Sequence, residues 1–287
     1  MEWAGAKRFV IVLLIILNVG LAGLNIRQRR ENTMTSAQEK AIFEVLSENG
    51  ITMYTDLKIG AEPMDRFEAK VPTYVKEELE TAIFDGEKTR VSLGNQKVYK
   101  TNTKTLTLDG DRGTFTDKSI EKGLTSLGRE DAIELAEHKM EQMKHIFGSF
   151  QLSYVSKGED GWRVEFCTTY RNETIFSNNF TFFVSDLGIY GIDFTYCEIT
   201  GVSQEKKDIC FTDEALLTFM REWKKRDGAK DATIQKLELG YDLMEQGSAV
   251  AGTGLYLEPC YRIYLMEESQ PYLVNAYTCQ IVKKNVK

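Results

Sequence analysis

Histidine, proline and paired cysteines are the scarce residues of this chain. Only two histidines occur in 287 residues. Nucleophilic triads and most zinc sites draw on imidazole beside a nucleophile or a second ligand, so such chemistry has little to work with. Four prolines and no low-complexity run exclude long stalks or extended linkers. The five cysteines, Cys167, Cys197, Cys210, Cys260 and Cys279, include no C-x-x-C pair, so neither a zinc knuckle nor a dithiol redox motif is present. They read as small buried thiols, with one structural disulfide as the other reading. No excess of positive charge exists either: the net charge is -7 and the isoelectric point about 5.2. An acidic chain without a basic stripe is not expected to take nucleic acid as a partner.

What is present is globular. The chain is 42% hydrophobic and 28% charged, with 13 Tyr, 15 Phe and 3 Trp, many of them in alternating segments that favour sheet. Residues 9–26 form an uncharged run preceded by Lys7 and Arg8 and followed by Arg27, Arg29 and Arg30. At about 1.5 Å per residue, a helix of this length reaches across a bilayer core. The run reads as a transmembrane anchor, against a secretory signal cut after Ala22. Its flanking cations leave the orientation open, because the carboxyl side carries slightly more of them.

Beyond the anchor, Ser36 and Glu39 form an expected capping box, opening a helix with Ala41, Ile42, Val45 and Leu46 on one face. Residues 51–57 are expected as a strand, and Pro72 as the first residue of a helix bearing Val75, Leu79, Ala82 and Ile83. Turns at Asp85-Gly86, Gly94-Asn95 and Asp109-Gly110 punctuate a strand-rich stretch. Two similar units follow. The first has a helix over 129–147 and strands over 151–156, 162–170, 174–184 and 188–199. The second has a helix over 212–226 and strands over 233–241, 258–266 and 271–282. The predicted fold class is α+β: an N-terminal transmembrane helix, then tandem units of one helix packed on an antiparallel β-meander. The expected divisions are a tail at 1–8, the anchor at 9–26, an α+β region at 27–125, and units at 126–200 and 201–287.

Chemistry is sparse. Glu134, His138, Glu141 and His145 share one helix face, but Ala132, Ile133, Ala136, Met140, Met143 and Phe147 occupy the opposite one. The His/Glu stripe is therefore the solvent side, and its histidines lie about 10 Å apart along the axis, too far for one ion. Asp109-Gly110-Asp111 lacks the further ligands of a calcium loop, and Gly252-Thr253-Gly254 lacks the strand-to-helix setting of a dinucleotide loop. No catalytic residue, cofactor site or metal site is assigned.

Two regions carry a family resemblance. One is Met1-Glu2-Trp3 with the basic patch at Lys7-Arg8 and the apolar run. The other is Leu239-Gly240-Tyr241, then Glu258-Pro259-Cys260-Tyr261-Arg262-Ile263, then Tyr272 through Asn275-Ala276-Tyr277-Thr278. Together they resemble the YycI family, membrane-anchored regulators of WalK-type (YycG) sensor histidine kinases in Gram-positive bacteria, and the terminal hairpin is similar to PepSY-type modules. Tyr261 stands where the family usually has tryptophan. The resemblance implies a cell-membrane protein with a cytoplasmic amino terminus, a single pass and an extracytoplasmic soluble region. It also implies a YycH-like partner and control of a kinase governing cell-wall metabolism, partly through transmembrane contacts. Asn18, Gly20 and Gly23 supply the polar and small side chains that pack helices in lipid. A PepSY-like inhibitor or chaperone of an extracytoplasmic protease or cell-wall hydrolase is the alternative.

Overall fold

In a computed structural model of the chain, the described residues are 34–282 except 56, 58, 95, 124–125, 227–230, 245–254, 267 and 269–270, together with Leu14, Leu17 and Asn18. The anchor apart from those three residues, and the Gly252–Gly254 turn, lie outside this set. Among the described residues no helix is long and apolar enough to cross a membrane.

The fold is mixed α+β, with four α-helices among the described residues and a large, mostly antiparallel sheet. In chain order the elements are α1 (Ser36–Glu48), β1 (Ile51–Met53), β2 (Met64–Lys70), α2 (Lys76–Ala82), β3 (Arg90–Leu93), β4 (Lys97–Lys100), β5 (Lys104–Asp109) and β6 (Arg112–Asp117). They continue as α3 (Arg129–Phe147), β7 (Phe150–Gly158), β8 (Gly161–Tyr170), β9 (Glu173–Ser185), β10 (Gly188–Thr195) and β11 (Glu198–Lys207). The last are α4 (Thr212–Lys224), β12 (Ala232–Leu243), β13 (Leu255–Leu265), β14 (Tyr272–Asn275) and β15 (Gln280–Ile281). Contacts divide the chain into two units. One draws on the segments up to Asp65, Glu205–Leu239 and Pro259 onward; the other on Arg66–Gln204 and Gly240–Glu258.

In the Arg66–Gln204 unit the antiparallel order is β7-β8-β9-β10-β6-β5-β4-β3. The β7–β10 meander is the one the turn chemistry anticipates. Between β8 and β9, Arg171 and Asn172 both take positive φ (51° and 67°), the two-residue hairpin geometry that matches strand twist. Helix α3 covers the predicted span. Its entry is fixed by Gly128 N–H donating to Asp131 Oδ2 (3.2 Å), and by Leu127 N–H and Ser126 N–H donating to Asp186 (2.9 and 3.1 Å). Ala132, Ile133, Ala136, Met140, Met143 and Phe147 are buried in one cluster with Val164, Phe166, Phe180, Phe182 and Phe194. Each such large side chain contributes about 1.5–3 kcal/mol on leaving water.

Glycine is required at two positions of this sheet. Gly113 pairs with Phe194 across β6–β10, and a Cβ there would sit 2.1 Å from the ring's Cζ. Gly161 has φ +124°, and its Cβ would meet the Val184 carbonyl at 2.2 Å.

Several expectations are corrected. The N-cap of α1 is Thr35, whose hydroxyl accepts from Gln38 N–H (3.4 Å) while Gln38 Oε1 accepts from Thr35 N–H (2.9 Å), one residue ahead of the Ser36/Glu39 box. Glu39 instead accepts from Leu57 N–H (3.4 Å). Only Ile42 and Leu46 of its apolar face are buried. The strand expected over 51–57 ends at Met53. Pro72 precedes α2 rather than opening it, and the helix starts after Val75, which is exposed. The strand expected over 188–199 is two: Asn178 accepts from Cys197 N–H (2.8 Å) and donates to its carbonyl (2.9 Å), so Cys197 leaves the ladder there. The 271–282 strand is likewise interrupted, by a turn at 276–279.

Charge is also placed inside this unit. Glu80 is almost fully covered on α2, accepting from Thr89 N–H (2.7 Å) and hydroxyl (2.9 Å) and from Lys88 (3.0 Å). The Thr89 N–H bond above all, then Lys88, the Thr89 hydroxyl and Lys76, outweighs burial and lowers its carboxyl from 4.5 to about 2. A carboxylate depressed on folding adds stability above its unfolded value and loses it as pH falls through the folded one. Urea midpoints should therefore decline between about 4.5 and about 2, with a shallower decline in Glu80→Gln. Gly113→Ala should lower stability by about 1–3 kcal/mol in the same assay, because the Phe194 ring must move.

Candidate functional site

Of the residues that carry the terminal resemblance, 259–263 and 272–278 fall in the unit that includes Glu205–Leu239. Tyr261-Arg262-Ile263 lies on β13 and pairs antiparallel with Val274-Leu273-Tyr272 of β14. Helix α4 begins with Glu214 Oε2 accepting from Phe211 N–H (3.1 Å) and turns Ala215, Leu216, Phe219 and Trp223 inward. Tyr272 meets Phe219 edge-on at 5.0 Å and Trp223 at 6.0 Å between centroids. Arg226 lies 4.9 Å above the Tyr272 ring and pairs with Glu268 (2.5 Å).

The end of the hairpin is held by polar bonds. Tyr261, fully buried, donates its hydroxyl to the Cys210 carbonyl (2.7 Å). Burial pushes that phenol upward in pKa. Cys210 N–H donates to the Ala276 carbonyl (2.7 Å), and Ala276 N–H to that of Pro259 (2.8 Å). Asn275 Oδ1 accepts from Tyr277 N–H (2.9 Å) and Thr278 N–H (3.0 Å), an Asx turn that fixes the chain after β14. Tyr277 donates its hydroxyl to the Met64 carbonyl (2.8 Å). Arg262 is mostly buried, with its guanidinium 5.0 Å from the Tyr264 ring centre. Tyr261, Asn275 and Tyr277 thus hold the hairpin in place.

Beside this hairpin the Cys210 and Cys279 sulfurs and a Glu214 carboxylate oxygen lie within 4.8 Å of one another. Burial first, then the neighbouring Cys279 and Glu214, pushes the Cys210 thiol well up. Sequence reasoning missed this cluster, because Cys279 is distant in the chain and no spacing rule links it to the others. Cys167, Cys197 and Cys260 are buried and in no disulfide, and burial raises Cys197 to about 12.

The other sequence candidates are dispersed. Glu134, His138, Glu141 and His145 are all exposed on α3, where Glu141 accepts from Lys144 (2.9 Å). Asp109 ends β5 at a two-residue turn and accepts from Gln96 (3.1 Å). Of the proposed membrane contacts, Asn18 donates its amide to the Leu14 carbonyl (2.8 Å), while Gly20 and Gly23 lie outside the described residues. An open cleft of about 540 Å³ beside β3 and β4 is lined by Lys88, Arg90, Val91 and Lys100 among others.

Tyr261→Phe should cost about 1–3 kcal/mol, because the buried Cys210 carbonyl loses its donor. Urea unfolding followed by tryptophan fluorescence would measure it.

No protein family matches the sequence, and no curated protein matches it. Among solved structures, the chain is similar to an uncharacterized protein from Eubacterium rectale ATCC 33656, with a TM-score of 0.55 and 14% identity, over 82% of this chain and 91% of that one. It is also matched to the Bacillus megaterium YpeB C-terminal domain, with a TM-score of 0.40 and 12% identity, over 75% of this chain and 97% of that one. The first of these likenesses is one of fold.

Proposed function

We propose that the protein is a non-enzymatic, membrane-anchored regulator of a WalK-type sensor histidine kinase, acting together with a YycH-like partner. The reading rests on one observation: a basic start followed by the uncharged 9–26 run stands in the same chain as the YycI-like terminal motif. That motif forms the β13–β14 hairpin beside α4, consistent with a PepSY-like helix-plus-hairpin unit. On this reading residues 1–8 are cytoplasmic, 9–26 span the membrane, and the helix-plus-sheet units lie outside the cell.

Regulation through the membrane asks little energy. A differential of about 1–3 kcal/mol between two kinase states changes activity about 5–150-fold. Close packing of Gly20 and Gly23 and a polar contact from Asn18 against a kinase helix are of that order.

The test is affinity purification of the full-length protein from native membranes in mild detergent, beside a version whose residues 9–26 are replaced by an unrelated anchor. A histidine kinase should accompany the native anchor and be lost with the foreign one. A kinase retained by both would move the contact to the extracytoplasmic units. A protease or cell-wall hydrolase recovered instead would replace this reading with the inhibitor one.

A further inference from the structure

We propose that Cys210, Glu214 and Cys279 form a binding site for one soft divalent cation of zinc's class, held by two thiolates and one carboxylate. The three donor atoms lie within 4.8 Å of one another. A tetrahedral zinc sits about 2.3 Å from sulfur and about 2.0–2.2 Å from a carboxylate oxygen, which puts its donors under about 4 Å apart. Small side-chain rotations close that difference. The donor set suits the ion: thiolates select zinc over magnesium and calcium, which favour all-oxygen sites.

The backbone beneath each donor is already fixed. Cys210 is held on both sides, by its N–H to Ala276 (2.7 Å) and its carbonyl from Tyr261 (2.7 Å). Cys279 has φ +54°, a left-handed conformation uncommon outside glycine, and its N–H donates to the Asn275 carbonyl (2.8 Å). The Asx turn at Asn275 maintains that bend. Glu214 is in the first turn of α4, where Oε2 caps Phe211 N–H and the other oxygen remains for an ion. Thr218 Oγ1 lies 3.9 Å from the Cys279 sulfur, a polar neighbour just outside the donors. Such prior fixing of the supporting backbone is what an ion site needs.

Access is also suitable. Glu214 is exposed and both thiols are partly exposed, so an ion can enter from solvent and keep water in the fourth position. Binding is balanced by protons: two thiols and one divalent cation give a dithiolate complex and two released protons, without oxidation or reduction. A disulfide between the same cysteines is the competing fate of this pair, and it would remove both ligands.

The experiment uses the full-length protein in detergent, reduced and freed of metal, titrated anaerobically with Co2+ and then Zn2+. One equivalent of Co2+ should produce a thiolate-to-cobalt charge-transfer band, and Zn2+ should abolish it. Cys210→Ser and Cys279→Ser should each lose the band, and Glu214→Gln should keep it with affinity reduced at least tenfold. A measurement needing no variant is alkylation mapped by mass spectrometry: Zn2+ should slow modification of Cys210 and Cys279 at least tenfold. Absence of the band in the reduced wild type, a band undiminished in Cys279→Ser, or alkylation rates untouched by Zn2+ would overturn the proposal.

Discussion

The aromatic contact of Phe147 with the sheet is the interaction on which the larger unit depends. Its ring meets Phe180 at 4.8 Å, Phe194 at 5.4 Å and Tyr196 at 5.0 Å, all near edge-on, with Tyr74 at 5.9 Å. Aromatic pairs of this geometry are worth about 0.5–1.5 kcal/mol each beyond area burial. Phe147 is the last residue of α3, and Gly148 at φ +80° turns the chain directly into β7. The helix therefore cannot slide along the sheet without breaking the ring cluster. Its other support is electrostatic: buried Lys139 meets Asp85 at 2.7 Å, and Asp85 also accepts from Lys104 at 2.8 Å. Burial pushes the Lys139 ammonium down and Asp85 opposes that, so losing the Asp85 carboxylate would strand a charge in a poorly solvated place.

The smaller unit is organised differently. Its terminal hairpin is held by a chain of main-chain bonds running through Cys210, Ala276 and Pro259, with the Tyr261 hydroxyl closing one end. Rings of Phe219, Trp223 and Tyr272 fill the space between α4 and β14. A surface used for partner recognition on this unit would rest on a rigid support, which limits the ordering entropy lost on association.

Periodicity made the middle of the chain legible. Helix α3 carries an apolar stripe long enough to name both its ends and its buried face, and turn residues with obligatory positive φ mark the meander around it. Lys139 escaped that reading: it lies among the buried positions, and only the distant Asp85 makes burial tolerable there. Short elements were less legible. Thr35 and Ser36 are equally good caps by type, and the choice fell to the neighbour with glutamine, not glutamate, at the third position. β2 has no strong alternation, and its place comes from pairing with β13 much later in the chain. The Cys210–Glu214–Cys279 cluster was illegible for the same reason, since a turn after β14 brings in the third donor.

The parallel pairing of Ile51–Met53 with Ala232–Ile234 has a kinetic consequence. A ribosome emits the β3–β10 region as a run of mostly neighbouring strands, whose contacts are local and can form early. Among the described residues β1 has no strand partner until Ala232 emerges, and α4 lacks Tyr272 until the final segment is made. Nascent chains thus carry Ile42 and Leu46 in a half-made unit through most of synthesis, and Phe219 and Trp223 await cover until Tyr272 is made. A polypeptide that terminates early is left displaying those apolar faces, the kind of surface by which proteolytic surveillance separates unfinished molecules from finished ones.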